Sequence, residues 1–321
     1  MPTRETIRGL CLAALLAACA PALGQTVLPP PTAIETLPPT GPILEGPPLE
    51  YFDLDSWYAG SEINPLAPRT DWQWQLLPDG ILYRSYLANP KESRLGTQYF
   101  SAPHDGALWD STLGGRVGMI RYGTTDAAWP QGWQFDVEGS AQVRLDPDED
   151  LDLRSVDYRI GSPLTYGFGR HRLQFGFYHL CSHLGDEFVE AHPEFEHVNF
   201  VRDALTLGYA YFLTENIRLY GELGWAFRTD VSEEWEFQFG FEYAPGRPTG
   251  LRGAPFLTAH GHLREELNYS GNFALQAGWA WRGQSSHLLR TGLHYYNGLS
   301  SQYSFYRQFE QQIGAGLWYD F

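Results

Sequence analysis

Residues 133–145 read WQFDVEGSAQVRL. The odd positions from Trp133 to Leu145 are all apolar or small, and the even positions from Gln134 to Arg144 are all polar. Alternation with period two is the signature of a β-strand that has one apolar and one polar face. The run of 13 residues exceeds a typical soluble strand and is long enough to cross a bilayer at a tilt. We therefore interpret it as a membrane-crossing strand.

The same alternation recurs along the rest of the chain. Aromatic residues gather near segment ends, as Trp279 and Trp281 do, which is typical of interfacial girdles. A soluble sandwich also alternates, but its strands are shorter. The sequence predicts an all-β fold, a closed antiparallel transmembrane β-barrel of about twelve strands. The predicted strands lie near 81–88, 113–124, 132–145, 155–169, 171–184, 203–214, 216–228, 235–245, 254–266, 272–283, 287–297 and 310–321.

The carboxyl end carries an independent signal. Ile313, Ala315, Leu317, Tyr319 and Phe321 alternate up to a terminal phenylalanine. This pattern resembles the last strand of outer-membrane barrels, and the resemblance implies recognition by the barrel insertion machinery. With the carboxyl end in the periplasm, short turns near 168–171 and 214–216 are periplasmic, and the segments 185–202 and 298–309 become external loops.

The amino-terminal part of the chain predicts export. Arg4 and Arg8 precede an apolar run, and Ala22-Leu23-Gly24 offers a cleavage site, so we interpret residues 1–24 as a signal peptide. Processing before Cys19, which would leave a lipidated amino terminus, is the alternative. Residues 25–70 are rich in proline and predict a periplasmic extension, and 71–321 form the barrel. Within 51–73, a periplasmic plug or a short helix is a further possibility. The expected location is the bacterial outer membrane.

Charge and cysteine content narrow the function. The net charge of −16 becomes −17 once residues 1–24 are removed, which disfavours nucleic acid as a partner. Cys181 is then the only remaining cysteine, so the mature chain forms no internal disulfide. We expect a monomer whose partners are outer-membrane lipid and the insertion machinery.

Charged side chains of both signs are predicted to face the lumen. Because a barrel of about twelve strands is narrow, we expect these groups to pair and plug it. The alternative is a narrow channel for small solutes. The predicted lumen residues are Asp136, Glu138, Arg144, Arg159, Arg172, Arg218, Glu222, Arg228, Glu236, Glu242, Arg264 and Arg290.

Candidate catalytic residues cluster where the fifth predicted strand reaches the outer rim, in the run HLCSHLGDE at 179–187. By parity His179, Cys181 and His183 point outwards and Ser182 inwards. Residues 71–321, with the Ser-His-Leu-Gly-Asp-Glu run at 182–187, resemble the bacterial family called domain of unknown function 1207, which implies no particular activity.

The His179-x-Cys181 element is similar to the His-x-Ser element of outer membrane phospholipase A. This resemblance implies a lipid ester hydrolase in which His179 activates Cys181, with Asp186 or Glu187 orienting the histidine. Cysteine replaces the family's serine, and no Ser-Asn pair follows. The candidate catalytic residues are His179, Cys181, Ser182, His183, Asp186 and Glu187.

A metal site is a further hypothesis for the same stretch. His183, Asp186, Glu187 and His192 crowd together and could hold calcium or another divalent metal, although their spacing matches no standard motif. The simpler interpretation has the histidines at the polar interface and the carboxylates paired with arginines, with no cofactor. It makes the protein a structural or surface-facing barrel, with the lipid hydrolase and the channel as alternatives.

Overall fold

The computed structural model describes residues 72–103 and 105–321. The predicted signal peptide, the alternative lipidation at Cys19, the proline-rich extension and nearly all of segment 51–73 lie outside these residues. None of the helices in the described ranges is long and apolar enough to cross a membrane.

Antiparallel strands dominate the described residues. One short helix, α1, spans Asp186–Ala191, and 3-10 turns span Gly250–Arg252, Glu265–Leu267 and Tyr303–Phe305. The strands are β1 Gln73–Leu76, β2 Leu95–Ala102, β3 Gly106–Gly123, β4 Gly132–Asp146, β5 Asp152–Phe168, β6 His171–Leu184, β7 Val201–Phe212, β8 Ile217–Asp230, β9 Trp235–Tyr243, β10 Ala254–Arg264, β11 Ser270–Arg282, β12 Leu288–Leu299 and β13 Phe309–Asp320.

These strands close into a barrel. From β2 to β13 each strand pairs antiparallel with its neighbour in sequence, and β13 pairs back with β2. The described residues thus form a closed barrel of twelve strands, to which β1 adds a short extra pairing with β3. The predicted fold class and strand number are confirmed.

The first predicted strand, near 81–88, is wrong. The place of the first barrel strand, next to β3, is instead taken by two short strands. β1 pairs with the later part of β3, and β2 pairs with the earlier part of β3. Between them, residues 77–94 leave the wall, and we call them the lumen segment. Ile81, Leu82 and Tyr83 are buried there, so their apolar character reflects burial inside the barrel and not a strand facing lipid.

The distribution of polar and apolar side chains over the two faces of the barrel is the reverse of that in soluble proteins. Along β4, Trp133, Phe135 and Val137 are exposed, whereas Gln134 and Asp136 are almost completely buried. Polar side chains thus line the interior and apolar ones the outside, the arrangement that a barrel in lipid requires. The alternation predicted from residues 133–145 is confirmed.

One predicted lumen residue is wrong. Arg228 lies outside, with its side chain 77% exposed. The cause is a β-bulge between β7 and β8: Asp203 pairs with Arg228, but Ala204 pairs with Ala226. Phe227 is therefore an extra residue on β8, and the parity of the strand changes after it.

Two long connections lie at the barrel end opposite the end of β13. Residues 185–200 contain α1 and link β6 to β7, and residues 300–308 link β12 to β13. The second connection folds inwards, because Tyr303, Phe305 and Tyr306 are all buried. Tyr303 stacks on Phe200 with ring centroids 4.6 Å apart. We call residues 300–306 the cap.

Candidate functional site: the barrel interior and the outer rim

Paired charges line the interior wall. Arg144 of β4 binds Asp110 of β3 at 2.7 and 2.8 Å and Glu310 of β13 at 2.7 Å. Arg116 similarly binds Asp136 at 2.9 and 2.7 Å. All these side chains are buried or nearly so, and each arginine has a carboxylate at hydrogen-bond distance. This part of the interior is thus a charge-paired polar core, as predicted.

The lumen segment crosses this interior and bonds to strands on several sides of it. Its bonds join Tyr86 to Glu222 (3.0 Å), Leu87 N to Glu242 (2.8 Å), Asn89 to Gln238 (2.8 Å), Ser93 to Ser140 (3.0 Å), Arg94 to Asp320 (3.1 Å) and Arg121 to Gly80 O (2.8 Å). These partners lie on β3, β4, β8, β9 and β13. The segment is therefore fixed from around the barrel and not from one wall alone.

Asp157 of β5 links the lumen segment to the cap. Its carboxylate accepts hydrogen bonds from Lys91 and Ser182, and also from the backbone N–H of Tyr303 at 3.0 Å. Ser182 in turn lies 2.7 Å from the hydroxyl of Ser304. Burial lowers the pKa of Lys91, while the neighbouring Asp157 acts to raise it. Ser182 faces inwards as predicted, where it holds buried structure together.

On the outer rim, β6 and β7 bring together a histidine and a carboxylate. His179 pairs in register with Asp203, and its Nδ1 lies 2.6 Å from the Asp203 carboxylate. The His179 side chain is 40% exposed, and Asp203 is mostly covered. An acid at Nδ1 fixes the orientation and tautomer of a histidine, which is how a general base is positioned.

Cys181 occupies the next outward position of β6. It pairs with Val201 of β7 and Tyr158 of β5, and it is partly exposed. Positions two apart on one strand share a face at about 7 Å. His179 and Cys181 are thus neighbours on the outer face, and Asp203, which the sequence reasoning missed, occupies the orienting position considered for Asp186 or Glu187.

Of the remaining candidates, His183 lies on the same outward face, two residues beyond Cys181, and pairs in register with Val156. His183 is exposed and lies 6.0 Å from the Tyr158 ring, while Asp186 and Glu187 are exposed in the first turn of α1. His192 stacks on Phe188 at 4.3 Å. In residues 72–103 and 105–321, no group of three or more His, Cys, Asp or Glu side chains is placed to hold a metal ion. The metal site stays a prediction.

Asp203 was missed because it lies 24 residues from His179 in sequence. The signal that could have found it is hairpin register: β6 and β7 pair antiparallel, and His179 faces Asp203 once the register is known. The long connection between the two strands hides that register from the sequence.

The chain is similar to several solved structures. Outer membrane phospholipase A from Escherichia coli is 12% identical, with a TM-score of 0.46 over 79% of this chain and 95% of that one. The phospholipase dimer from Salmonella typhi with bound calcium is 11% identical, with a TM-score of 0.45 over 70% and 90%. The KdgM porin is 11% identical, with a TM-score of 0.38 over 71% and 99%.

No curated protein matches the chain. The family model described as "Protein of unknown function (DUF1207)" matches residues 67–321, and the chain belongs to this family.

Proposed function

We propose that the protein is a structural or surface-facing barrel of the bacterial outer membrane whose lumen is closed to solutes. The observation that carries this proposal is the lumen segment, which bonds to inward side chains from around the barrel, from Ser140 of β4 to Glu242 of β9. The buried cap covers the end opposite that of β13. The exposed apolar face supports residence in lipid, and a closed barrel is one of the two structures that can span a bilayer.

Conductance across a planar bilayer tests the closed lumen. We expect the full chain, refolded and inserted, to pass no stepwise current at either polarity. An open porin inserted under the same conditions serves as the positive control, and heat-dependent gel migration verifies that the protein is folded. Stepwise conductance would instead support the narrow channel. Fractionation of cells on a density gradient tests the location, and recovery with the inner membrane would contradict it.

A second candidate function is a lipid ester hydrolase. The observation in its favour is the 2.6 Å contact between His179 and Asp203 beside Cys181 on the lipid-facing side of the rim. A cysteine whose proton is taken by an oriented histidine can attack the ester carbonyl; the ester C–O bond breaks, and the alcohol leaves with that proton. Water then hydrolyses the acyl-enzyme, releasing the fatty acid and restoring the thiol. The substrate would be a phospholipid or lipopolysaccharide ester.

Hydrolysis of these lipids by the purified barrel, measured with and without calcium, tests this candidate. Cys181→Ala and His179→Ala are expected to abolish the activity, and Asp203→Asn to lower it about a hundredfold or more. His183→Ala is the matched control, because His183 lies on the same face at the same spacing from Cys181 but does not contact Asp203 in register. Absence of hydrolysis, or activity that survives Cys181→Ala, removes the candidate.

A further inference from the structure

Four arginines meet at the barrel mouth where β13 ends. Arg84 of the lumen segment, Arg172 of β6 and Arg218 of β8 surround the ring of Phe212, with guanidinium carbons 5.7, 5.7 and 6.0 Å from its centroid. Arg282, the last residue of β11, lines the same small cavity as Arg84 and Arg218. Like charges thus accumulate in one place that is largely shielded from water.

Among the described residues, only one of the four has a carboxylate partner. Arg218 binds Glu242 at 2.8 and 2.7 Å. Within the described ranges, the side chains of Arg84, Arg172 and Arg282 donate to backbone carbonyls alone and form no ion pair. Those carbonyls belong to Ala128 and Gly246, to Pro130, Gly169 and His171, and to Pro245 and Ser286, respectively.

The acidic side chains that line the cavity already have partners. Besides Glu242, these are Asp320, which binds Arg290 at 2.7 Å and Arg94 at 3.1 Å, and Glu215, which binds Arg247. None of these three is at hydrogen-bond distance from Arg84 or Arg282, and the carboxyl group of Phe321, a residue that also lines the cavity, forms no ion pair with either arginine among the described residues.

A buried cation without a counterion is unfavourable. Arg84 is half-buried, and its pKa is lowered to about 10, first by burial and then by the nearby Arg218. The wall pairs elsewhere, such as Arg144 with Asp110, avoid this cost. At the mouth, an anion bound from solution would offset the free-energy cost of these unpaired cations.

We propose that this mouth is a binding site for a phosphate-type oxyanion, held by Arg84 and Arg282. Guanidinium groups donate two parallel hydrogen bonds to phosphate oxygens, and this geometry is the reason arginine is preferred for such ligands. The cavity is small, which suits a phosphate group and excludes a large metabolite as a whole. Its lining includes Glu215, whose side chain is 40% exposed, so the cavity opens to the outside.

The same chemistry could come from free phosphate or from the head group of a phospholipid. The two sources can be separated with the full chain folded in dodecyl maltoside micelles. One arm titrates sodium phosphate by calorimetry at constant ionic strength maintained with sodium chloride. The other titrates didecanoyl phosphatidic acid in mixed micelles, with didecanoylglycerol as the lipid that lacks phosphate.

We expect saturable binding in one or both arms, weakened about tenfold or more by Arg84→Gln and by Arg282→Gln. Arg154→Gln is the matched control: Arg154 also lies over two aromatic rings, Phe188 at 5.5 Å and Phe305 at 5.6 Å, but it pairs with Asp105 and Asp146. It should leave binding unchanged.

Binding of phosphate alone would identify a soluble oxyanion, and binding of the phosphatidic acid alone would identify a lipid head group. The proposal is overturned if the folded wild-type barrel binds neither, if didecanoylglycerol binds as well as the acid, or if Arg154→Gln weakens binding equally. The wild-type titration decides between these outcomes even where a glutamine variant fails to fold. In that case Arg84→Lys replaces the glutamine variant, because lysine keeps the positive charge but cannot donate two parallel hydrogen bonds.

Discussion

Lys91 forms an ion pair with Asp157 in the barrel interior, with side chains only 6% and 0% exposed. Lys91 belongs to the lumen segment and Asp157 to β5, and the same carboxylate also accepts the N–H of Tyr303 in the cap. The lumen segment and the cap are therefore linked to each other through one side chain. Since both depend on Asp157, we expect them to loosen together.

Replacing Asp157 with alanine should destabilise the barrel by about 3 kcal/mol or more, because Lys91 would remain as a buried cation without its partner. Unfolding in urea, followed by tryptophan fluorescence in lipid vesicles, measures the change. Lys91→Met is the matched control. It should cost less, since Asp157 keeps the hydrogen bonds from Ser182 and Tyr303. Equal effects of the two variants would contradict the role assigned to Asp157.

The hydroxyl groups of Ser93 and Ser140 lie 3.0 Å apart, which joins the lumen segment to β4. Cysteines at these two positions should form a disulfide, because side chains in contact satisfy the distance that the bond requires. The test uses a background in which the three native cysteines are serine, and the gel mobility of the unfolded protein before and after reduction. Ser93→Cys with Ser155→Cys is the control pair, since Ser155 lies on β5 and its hydroxyl forms no hydrogen bond among the described residues. Failure of the first pair to cross-link would mean that the segment does not rest in the lumen.

The strands with strict alternation could be predicted closely from the sequence, and β6 matches its predicted bounds of 171–184. The beginning of the barrel could not be predicted from the sequence. In β2 the inward face carries Phe100 and the outward face Thr97, so neither face is purely apolar or polar. The lumen segment is apolar because it is enclosed, and a short apolar run does not distinguish enclosure from contact with lipid.

The candidate site, too, could be predicted only in part from the sequence. Parity along β6 placed His179 and Cys181 outside and Ser182 inside, because parity is a local property of one strand. The contact between His179 and Asp203 depends on the register between two strands, and the outward position of Arg228 depends on a bulge. Neither the register nor the bulge can be recognised from the alternation of polar and apolar residues within a single segment.

Arg144 and Arg228 were both expected in the lumen, and the structure separates them. Arg144→Ala should cost about 3 to 5 kcal/mol, because it leaves the carboxylates of Asp110 and Glu310 buried without their partner. Arg228→Ala should change stability by no more than about 0.5 kcal/mol, since its side chain is 77% exposed. Urea unfolding of both variants under one set of conditions is the measurement. A large loss from Arg228→Ala would restore the lumen position expected for it.

The ring of Phe321 packs against β3 at Gly115, where an added Cβ would lie 2.8 Å from a ring carbon. Gly115→Ala should therefore displace the ring and destabilise the folded barrel by about 1 kcal/mol. Gly139→Ala is the matched control: Gly139 pairs with Gly115 across β3 and β4, but its Cβ would meet Ile160 at an ordinary 3.6 Å. The control should be neutral in the same urea assay.

Phe321→Ala removes both the packing and the terminal aromatic residue that we expect the insertion machinery to recognise. If recognition matters, the amount of folded barrel in cells should fall several-fold with Phe321→Ala and stay near the wild-type level with Gly115→Ala, because the latter keeps the terminal residue. Heat-dependent gel migration of outer-membrane fractions measures both variants side by side. Equal loss from the two would assign Phe321 to packing against Gly115 alone, since a displaced ring would then be as harmful to insertion as an absent one.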